Sequence, residues 1–292
     1  MKILHTADIH LKEKNDERWK ALEEIIRIGN EEDVELLVIS GDLFNQDFNE
    51  EILRPAIRKI FNRCDFNIII LPGNHDSNSY THDKFLGDDV KVIKNINNPL
   101  EIEDNIIWGI PFQKADSQEI LDIISSLGDM INREKTNILL FHGELLDIFF
   151  NVKDAGDEGM ERYMPVKLSY FNKAPVDYVL AGHFHSNFRV KILQDSGYFV
   201  YPGSPVSITK RETGRRYVNI FETGNPPSQY MLKTFYYEEL QVTFNPFEET
   251  NPYKILMEKI AEVPEEAKII LRVDGYINSE KTGINEKELA EK

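Results

Sequence analysis

Short apolar runs alternate with amphipathic stretches along the first half of the chain, and this alternation restricts the fold more than any other feature. Strands are predicted by three of the apolar runs: KILHTAD, VELLVISGD and NIIILPGNHD. Apolar residues at helical spacing lie between the first two runs, at Trp19, Leu22, Ile25 and Ile26. Strands that alternate with helices predict an α/β fold with a largely parallel sheet, whose functional residues gather beyond the carboxyl ends of the strands.

The second half of the chain has a different pattern. Strands without helices between them are predicted by FRVKIL, YFVYPGSP, RYVNIF and YMLKTFYY, so the later sheet should be antiparallel or mixed. We therefore expect an α/β fold built as a two-sheet β-sandwich flanked by helices, in a domain over residues 1–235. Asn251 followed by Pro252 predicts a helix start, and KIILRVDGYI predicts a strand. Residues 236–292 should form a small α/β capping lobe with a polar tail.

Charge and cysteine content exclude several classes of protein. Acidic residues outnumber basic ones, 50 against 34, and the net charge of −16 argues against nucleic-acid binding through overall positive charge. Cys64 is the single cysteine, so an internal disulfide is impossible. The first ten residues lack the pattern of a signal peptide, and the apolar runs are shorter than the roughly 18 residues of a membrane helix. We expect a soluble, cytoplasmic protein without a membrane partner.

Five predicted strands, the three above together with NILLFHGE and DYVLAGHFH, end in side chains of the types that bind metals. In chain order these are Asp8 and His10, Asp42, Asn74 with His75 and Asp76, His142, and His183 with His185. In an extended segment, residues two positions apart point to the same side, so Asp8 and His10 can address one point, as can His183 and His185. Carboxylate, imidazole and amide groups gathered at one edge of a sheet are typical of a metal site.

The number of candidate ligands predicts two metal ions. Two aspartates, one asparagine and four histidines exceed the three or four protein ligands of one catalytic ion, whereas two ions sharing a carboxylate would use them all. Imidazole and oxygen ligands without thiolate favour manganese, iron, zinc or cobalt over magnesium or calcium, which prefer sites made of oxygen ligands alone. Two ions about 4 Å apart can bind both the attacking and the leaving oxygen of a displacement at phosphorus. The pattern therefore predicts phosphate-ester hydrolysis.

The motif order is Asp-x-His, Gly-Asp, Gly-Asn-His-Asp, His-Gly and Gly-His-x-His, which resembles the calcineurin-like metallophosphoesterases over residues 1–205. ILHTADIHL, VISGDLFN and YPGSPVS, with the small lobe after them, are similar to the SbcD or Mre-type nuclease subunits of DNA double-strand-break repair. The resemblance implies a manganese-dependent DNA exonuclease or endonuclease. It also implies a SbcC/Rad-type coiled-coil ATPase as partner, and a possible homodimer. Asn45 and Gln46 lie where those subunits often carry a histidine.

The resemblance also assigns roles to individual residues. It implies that the first ion is held by Asp8, His10, Asp42 and His185, and the second by Asp42, Asn74, His142 and His183. Asp42 would bridge the two ions. His75 and Asp76 would be the catalytic pair, with His75 facing the scissile phosphate and Asp76 orienting its imidazole. A hydroxide held by the metals would be the nucleophile.

Two other functions stay open at this stage. The same metal site could serve a phosphodiesterase or phosphatase acting on a small molecule, such as a cyclic nucleotide or a dinucleotide. The fold could also serve as a non-catalytic scaffold that binds a partner protein.

The segment KRETGRR contains four basic residues within this acidic chain: Lys210, Arg211, Arg215 and Arg216. From Arg189 to Arg216, six basic residues stand against two acidic ones, a local charge of +4. Phosphate contacts come mostly from Arg and Lys, so this segment is either a DNA-binding surface or a solvated hairpin. The aromatic-rich segment that follows His142 could stack on bases or pack against a helix, through Phe149, Phe150, Met160 and Tyr163.

Overall fold

The computed structural model describes residues 1–46, 50–80, 85–147, 163–194, 197–247 and 250–291. Within these residues, two mixed sheets of six strands each form most of the molecule. The first sheet contains β1 (Lys2–Thr6), β2 (Leu36–Ser40), β3 (Asn67–Leu71), β4 (Val90–Val92), β11 (Tyr217–Glu222) and β12 (Gln229–Met231). The second contains β5 (Leu100–Ile102), β6 (Asn105–Ile110), β7 (Thr136–His142), β8 (Tyr178–Gly182), β9 (Arg189–Ile192) and β10 (Tyr198–Tyr201).

Both sheets have a parallel centre, with antiparallel strands at one edge of the first sheet and at both edges of the second. The first has the order β12-β11-β1-β2-β3-β4, with β1 to β4 parallel and β11 antiparallel to β1. The second has the order β5-β6-β7-β8-β10-β9, with β6, β7, β8 and β10 parallel. The predicted two-sheet sandwich is therefore confirmed. The strands divide differently from the prediction, because β11 and β12 extend the first sheet beside β1 and do not belong to a separate later sheet.

Helices cover the outer faces of the sandwich. These helices are α1 (Glu17–Glu31), α2 (Arg54–Phe61) and α3 (Ser117–Gly128); the described helices α4 (Pro252–Ala261), α5 (Ser279–Thr282) and α6 (Glu286–Glu291) come after the sandwich in the chain. Helix α1 begins where the Asp16 carboxylate accepts the Trp19 backbone N–H at 2.8 Å. Helix α3 ends at Gly128, which packs so closely against the Lys173 carbonyl that a Cβ would lie 2.0 Å from the oxygen.

Alternating side chains separate the core into layers. Ile3, Val38 and Ile69 of the first sheet pack against Ile138 and Leu180 of the second, in a cluster between the sheets. Their sequence neighbours point outward, toward α1 and α2 on one side and toward α3 on the other. The result is a four-layer α/β/β/α arrangement with both sheets covered on two faces.

The two sheets come together at the carboxyl ends of their central strands. The Ser40 hydroxyl at the end of β2 donates to the Leu180 carbonyl oxygen of β8 at 2.8 Å. Gly182, at the end of β8, permits this approach, because a Cβ there would lie 2.1 Å from the Ser40 carbonyl oxygen. Loops from both sheets therefore meet at one edge of the sandwich.

A smaller β-α-β unit follows the sandwich. Strands β13 (Tyr236–Phe244) and β14 (Ala267–Gly275) pair in parallel and are connected through α4, with Val242, Phe244 and Leu256 forming a separate apolar cluster. The Asn251 side chain caps α4 by accepting the Tyr253 N–H at 2.9 Å, which confirms the predicted helix start. The division into domains at residue 236 stays a prediction. Among the residues described, no helix is long and apolar enough to cross a bilayer.

Candidate metal centre

Four of the predicted ligands have a left-handed backbone conformation. The φ angles are 54° at Asp8, 52° at His10, 54° at Asp42 and 103° at His183. This conformation is uncommon for residues other than glycine and costs roughly 1–3 kcal/mol each. Backbone hydrogen bonds across β1 and β2 hold it, from Asp8 N to the Gly41 carbonyl (3.1 Å) and from His10 N to the Asp42 carbonyl (2.9 Å). The strain aims these side chains at a common point.

Asp42 lies at the centre of the group and is fully buried. One oxygen, Oδ1, accepts the His75 backbone N–H at 2.9 Å. The other, Oδ2, lies 3.2 Å from His142 Nε2 and 3.8 Å from His10 Nε2. Burial alone would raise the pKa of Asp42, but the surrounding imidazoles, His142 foremost, hold it well below its usual range. Asp42 therefore stays ionised between two groups of histidines, as a bridging carboxylate would.

The His142 ring shows that a cation suits this site. Its Nδ1 lies 2.8 Å from the Ser40 carbonyl oxygen, which can only accept, so Nδ1 carries a proton and donates it. Nε2 lies 2.9 Å from Asn74 Oδ1 and 3.2 Å from Asp42 Oδ2. Burial alone would lower the pKa of His142, yet the Asp42 charge raises it to about 10. Nε2 thus meets two oxygens and requires a proton or a metal ion.

A second group of ligands forms on the other side of Asp42. His10 Nε2 and His185 Nε2 face each other at 3.1 Å, and these two residues together with Asp8 place ligand atoms within 4.8 Å of one another. Asp8 accepts the His183 backbone N–H on both oxygens, at 3.0 and 3.1 Å. Burial raises the pKa of Asp8 to about 6, although His142 and His185 oppose the shift. The donor set therefore fits a divalent cation.

His75 and Asp76 occupy the turn after β3. The His75 ring lies edge-on to the His10 ring, with centroids 4.7 Å apart, and its ligand atom groups with those of His10 and Asp42 within 4.8 Å. Asp76 Oδ1 accepts Gly73 N at 2.8 Å, and Oδ2 accepts Phe44 N at 3.2 Å and the Tyr80 hydroxyl at 2.9 Å. Asp76 therefore holds the turn itself. That Asp76 also orients the His75 imidazole stays a prediction.

The structure brings all nine predicted site residues together at one edge of the sandwich. They are Asp8, His10, Asp42, Asn74, His75, Asp76, His142, His183 and His185. The His183 ring lies beside that of His142, with centroids 5.5 Å apart. Asn74 and His75 are half-buried, whereas the other members are buried, so the group opens toward solvent on the side of these two residues.

Two further residues, Arg18 and Glu212, contact the group, and Tyr201 contacts the residue after His142; the sequence pattern singled out none of the three as part of the site. Arg18 of α1 donates to the His10 carbonyl oxygen at 2.7 Å. Glu212 Oε1 lies 3.4 Å from His185 Nδ1. Burial alone would raise the pKa of Glu212, but the hydrogen bond and charge of His185 hold it below its usual value. The Tyr201 hydroxyl donates to the Gly143 carbonyl oxygen at 2.6 Å, next to His142.

The predicted DNA-binding role of Arg216 is wrong. Its side chain is 2% exposed. Nε donates to the Ser204 carbonyl and Nη2 to the Ser204 hydroxyl, each at 2.9 Å, and Nη2 also donates to the His185 carbonyl. The guanidinium therefore points into the protein, where a nucleic-acid phosphate cannot reach it. Lys210, Arg211 and Arg215 are exposed, so their assignment stays a prediction.

The aromatic segment after β7 is described only in part. Phe149, Phe150 and Met160 lie outside the described residues. Tyr163 is half-buried, and its ring lies against that of His183, with centroids 5.2 Å apart. It also lies 5.9 Å from the Phe112 ring. Whether Tyr163 stacks on a base stays a prediction.

The fold and the ligand group together define a metal-dependent hydrolase of phosphoesters. The sequence profile of the family described as calcineurin-like phosphoesterase matches residues 1–187. The chain belongs to this family, which confirms the resemblance read from the motifs. Members of the family use divalent metal ions, and the clustered Asp and His side chains fit that requirement.

The individual proteins that are similar to this chain have low sequence identity to it. The DNA double-strand break repair protein Mre11 of Saccharolobus solfataricus is 25% identical over 233 residues, which cover 73% of this chain and 56% of that protein. The chain thus spans little more than half the length of this relative. Among solved structures, the protein TT1561 of Thermus thermophilus is 13% identical and covers 74% of this chain and 92% of its own, with a TM-score of 0.48. An archaeal phosphodiesterase is 16% identical; the match covers 80% of this chain and 100% of the phosphodiesterase chain, with a TM-score of 0.44.

Proposed function

We propose that the protein is a two-metal phosphodiesterase that cleaves DNA, with manganese as its metal ion. The first ion would be held by Asp8, His10, Asp42 and His185, and the second by Asp42, Asn74, His142 and His183. The proposal rests chiefly on His142. Its Nε2 lies 2.9 Å from Asn74 Oδ1 and 3.2 Å from Asp42 Oδ2, while its Nδ1 donates to the Ser40 carbonyl oxygen. Imidazole with oxygen ligands suits manganese, and also iron, zinc or cobalt.

His75 would act on the substrate. Two divalent ions, when bound, would supply Lewis-acid chemistry that lowers the pKa of water and offsets charge on the phosphate. His75 borders the open side of the group, and its backbone N–H is fixed by Asp42. From this position its imidazole would donate a proton to a phosphate oxygen or to the leaving oxygen. Asp76 supports this placement by holding the turn through Gly73 and Tyr80.

DNA as the substrate is supported by two observations. The relative in Saccharolobus solfataricus is a DNA double-strand break repair protein. Lys210, Arg211 and Arg215 expose three cations on the segment that also contains Glu212, the neighbour of His185. Such cations would contact backbone phosphates and add affinity without reading sequence. A coiled-coil ATPase partner and a homodimer are further parts of this proposal that rest on the sequence resemblance.

A metal-screened nuclease assay tests the proposal. Purified protein would be incubated with single- and double-stranded DNA in manganese, magnesium, zinc, cobalt or iron, and in chelator. Cleavage that requires manganese and is absent from an Asp42→Ala preparation is the expected result, because Asp42 would bridge the ions. This variant also controls for contaminating nuclease. DNA left intact by the wild-type protein in every metal would refute the nuclease proposal.

A small-molecule phosphodiesterase is the second candidate, and the burial of Arg216 favours it. Because Arg216 is buried, the basic segment exposes three cations, on a chain of net charge −16. A small substrate would not need an extended cationic surface. Turnover of a chromogenic phosphodiester or a cyclic nucleotide that greatly exceeds cleavage of DNA would support this candidate. Fewer than one ion per chain after manganese supplementation would instead favour a non-catalytic scaffold.

A further inference from the structure

Glu212 lies behind the His185 ring, at the edge opposite to the metal-facing nitrogen. Its Oε1 is 3.4 Å from His185 Nδ1, whereas His185 Nε2 faces His10 Nε2 at 3.1 Å. Glu212 is 2% exposed, and its pairing with an imidazole accounts for a carboxylate at this depth. Because a carboxylate accepts, the contact places the proton of His185 on Nδ1 and leaves the lone pair of Nε2 directed into the ligand group.

The Glu212 carboxylate is itself fixed by the segment around it. Oε1 also accepts the backbone N–H and the hydroxyl of Thr209, at 3.2 and 3.1 Å. Oε2 accepts Ile208 N at 2.8 Å. Three donors besides His185 thus hold the two oxygens in one orientation, so the carboxylate can orient the imidazole without a further loss of side-chain entropy.

Arg216 holds the same histidine by its backbone. Its Nη2 donates to the His185 carbonyl oxygen, and its Nε donates to the carbonyl of Ser204. His185 is therefore held at two points, at the ring by Glu212 and at the carbonyl by Arg216. Both contacts come from the short segment that leads into β11, four residues apart. A positively charged residue at 216 also offsets the buried charge of Glu212.

We infer that Glu212 is a positioning residue for metal binding at His185. It selects the tautomer in which Nε2 is free of a proton, and the negative charge beside Nδ1 strengthens Nε2 as a donor to a metal ion. Groups that hydrogen-bond a metal-ligating histidine in this way change metal affinity by roughly 10–100-fold. The inference rests on the proposed function in one respect, that His185 is a metal ligand.

Metal binding by Glu212→Gln tests this role. Manganese would be titrated calorimetrically into the full chain stripped of metal, and the visible spectrum of the cobalt-loaded protein would be recorded. Glu212→Gln is expected to bind one of two ions about 10–100-fold more weakly and to shift the cobalt spectrum. Glu212→Asp, which retains the charge, is expected to bind that ion more tightly than the Gln variant.

Ser207→Ala is the matched control, because the Ser207 hydroxyl bonds the Glu212 backbone carbonyl and Tyr237 N but not the Glu212 carboxylate. It should keep wild-type affinity and an unchanged cobalt spectrum. A Gln variant that matches wild type in both readouts would overturn the inference, as would equal losses in Ser207→Ala. If the Gln variant does not fold, Glu212→Asp must still bind more weakly than Ser207→Ala. His185→Ala separates the two proposals: unchanged binding there would refute the metal site itself.

Discussion

His5 should make the protein's stability depend on pH. It lies in β1, three residues before Asp8, and is fully buried, with both ring nitrogens lacking a hydrogen-bond partner among the described residues. In the register of the sheet it stands opposite Asn219 of β11 and Val38 of β2. Burial lowers the pKa of His5 from 6.5 to about 3, because a charged imidazole would be desolvated there.

The sign and size of the effect follow from that shift. Below pH 6.5 the unfolded chain takes up a proton at His5, whereas the folded protein does so only near pH 3. The unfolded state therefore binds more protons in this window, and the free energy of unfolding falls as the pH falls. For this single group the expected loss is about 2 kcal/mol between pH 7 and pH 5.

Urea denaturation at pH 7 and pH 5, in chelator, measures this loss. Other buried groups titrate too, so the informative quantity is the comparison with His5→Leu, which has a similar volume and no titrating group. Any packing cost of leucine is the same at both pH values and cancels. Wild type should lose about 2 kcal/mol more than the variant on going to pH 5. Equal losses in the two proteins would refute the neutral, buried state of His5.

Three further predictions concern the metal centre and its surroundings. His75→Ala should retain both ions but lose hydrolysis, whereas Asp42→Ala should lose metal as well; equal metal loss on calorimetry would contradict these roles. Gly41→Ala should lower the melting temperature more than Gly224→Ala. Both positions have positive φ, but only at Gly41 would the Cβ meet a neighbour, 1.9 Å from His142 Nδ1, and equal shifts would show that this contact relaxes freely. Replacing three exposed cations with glutamine should change the salt dependence of DNA binding. The slope of the logarithm of the DNA-binding constant against the logarithm of the salt concentration should become less negative by up to about 3, and an unchanged slope would exclude phosphate contacts there. These cations are Lys210, Arg211 and Arg215.

The ligand group was largely predictable from the sequence. Apolar runs of strand length end in Asp, Asn or His, and the carboxyl ends of parallel strands share one edge of a sheet. Asp8, Asp42 and Asn74 lie far apart in the chain, yet they follow β1, β2 and β3 of one sheet, so this rule alone places them together. His142 and His183 follow strands of the other sheet, and they join the first three only because the two sheets pack against each other. The periodicity that predicted the sandwich was equally local, because alternation along a strand decides which side chains face a core.

Tertiary structure decided which side chains contact and hold the candidate ligands. Arg215 and Arg216 are adjacent and chemically identical, yet one is exposed and the other is 2% exposed beneath His185. Glu212 looked like one acid in a basic, solvated segment, but it contacts His185 across 27 positions of sequence.

These contacts depend on the path of the chain into β11 and on where the second sheet places His185. The strained φ angles of Asp8 and Asp42 likewise exist only because hydrogen bonds from neighbouring strands hold them. A sequence by itself determines which groups follow a strand, since that depends on local periodicity. Which side chains hold those groups in place depends on long-range packing, whose partners are brought together only when the sheets close on each other.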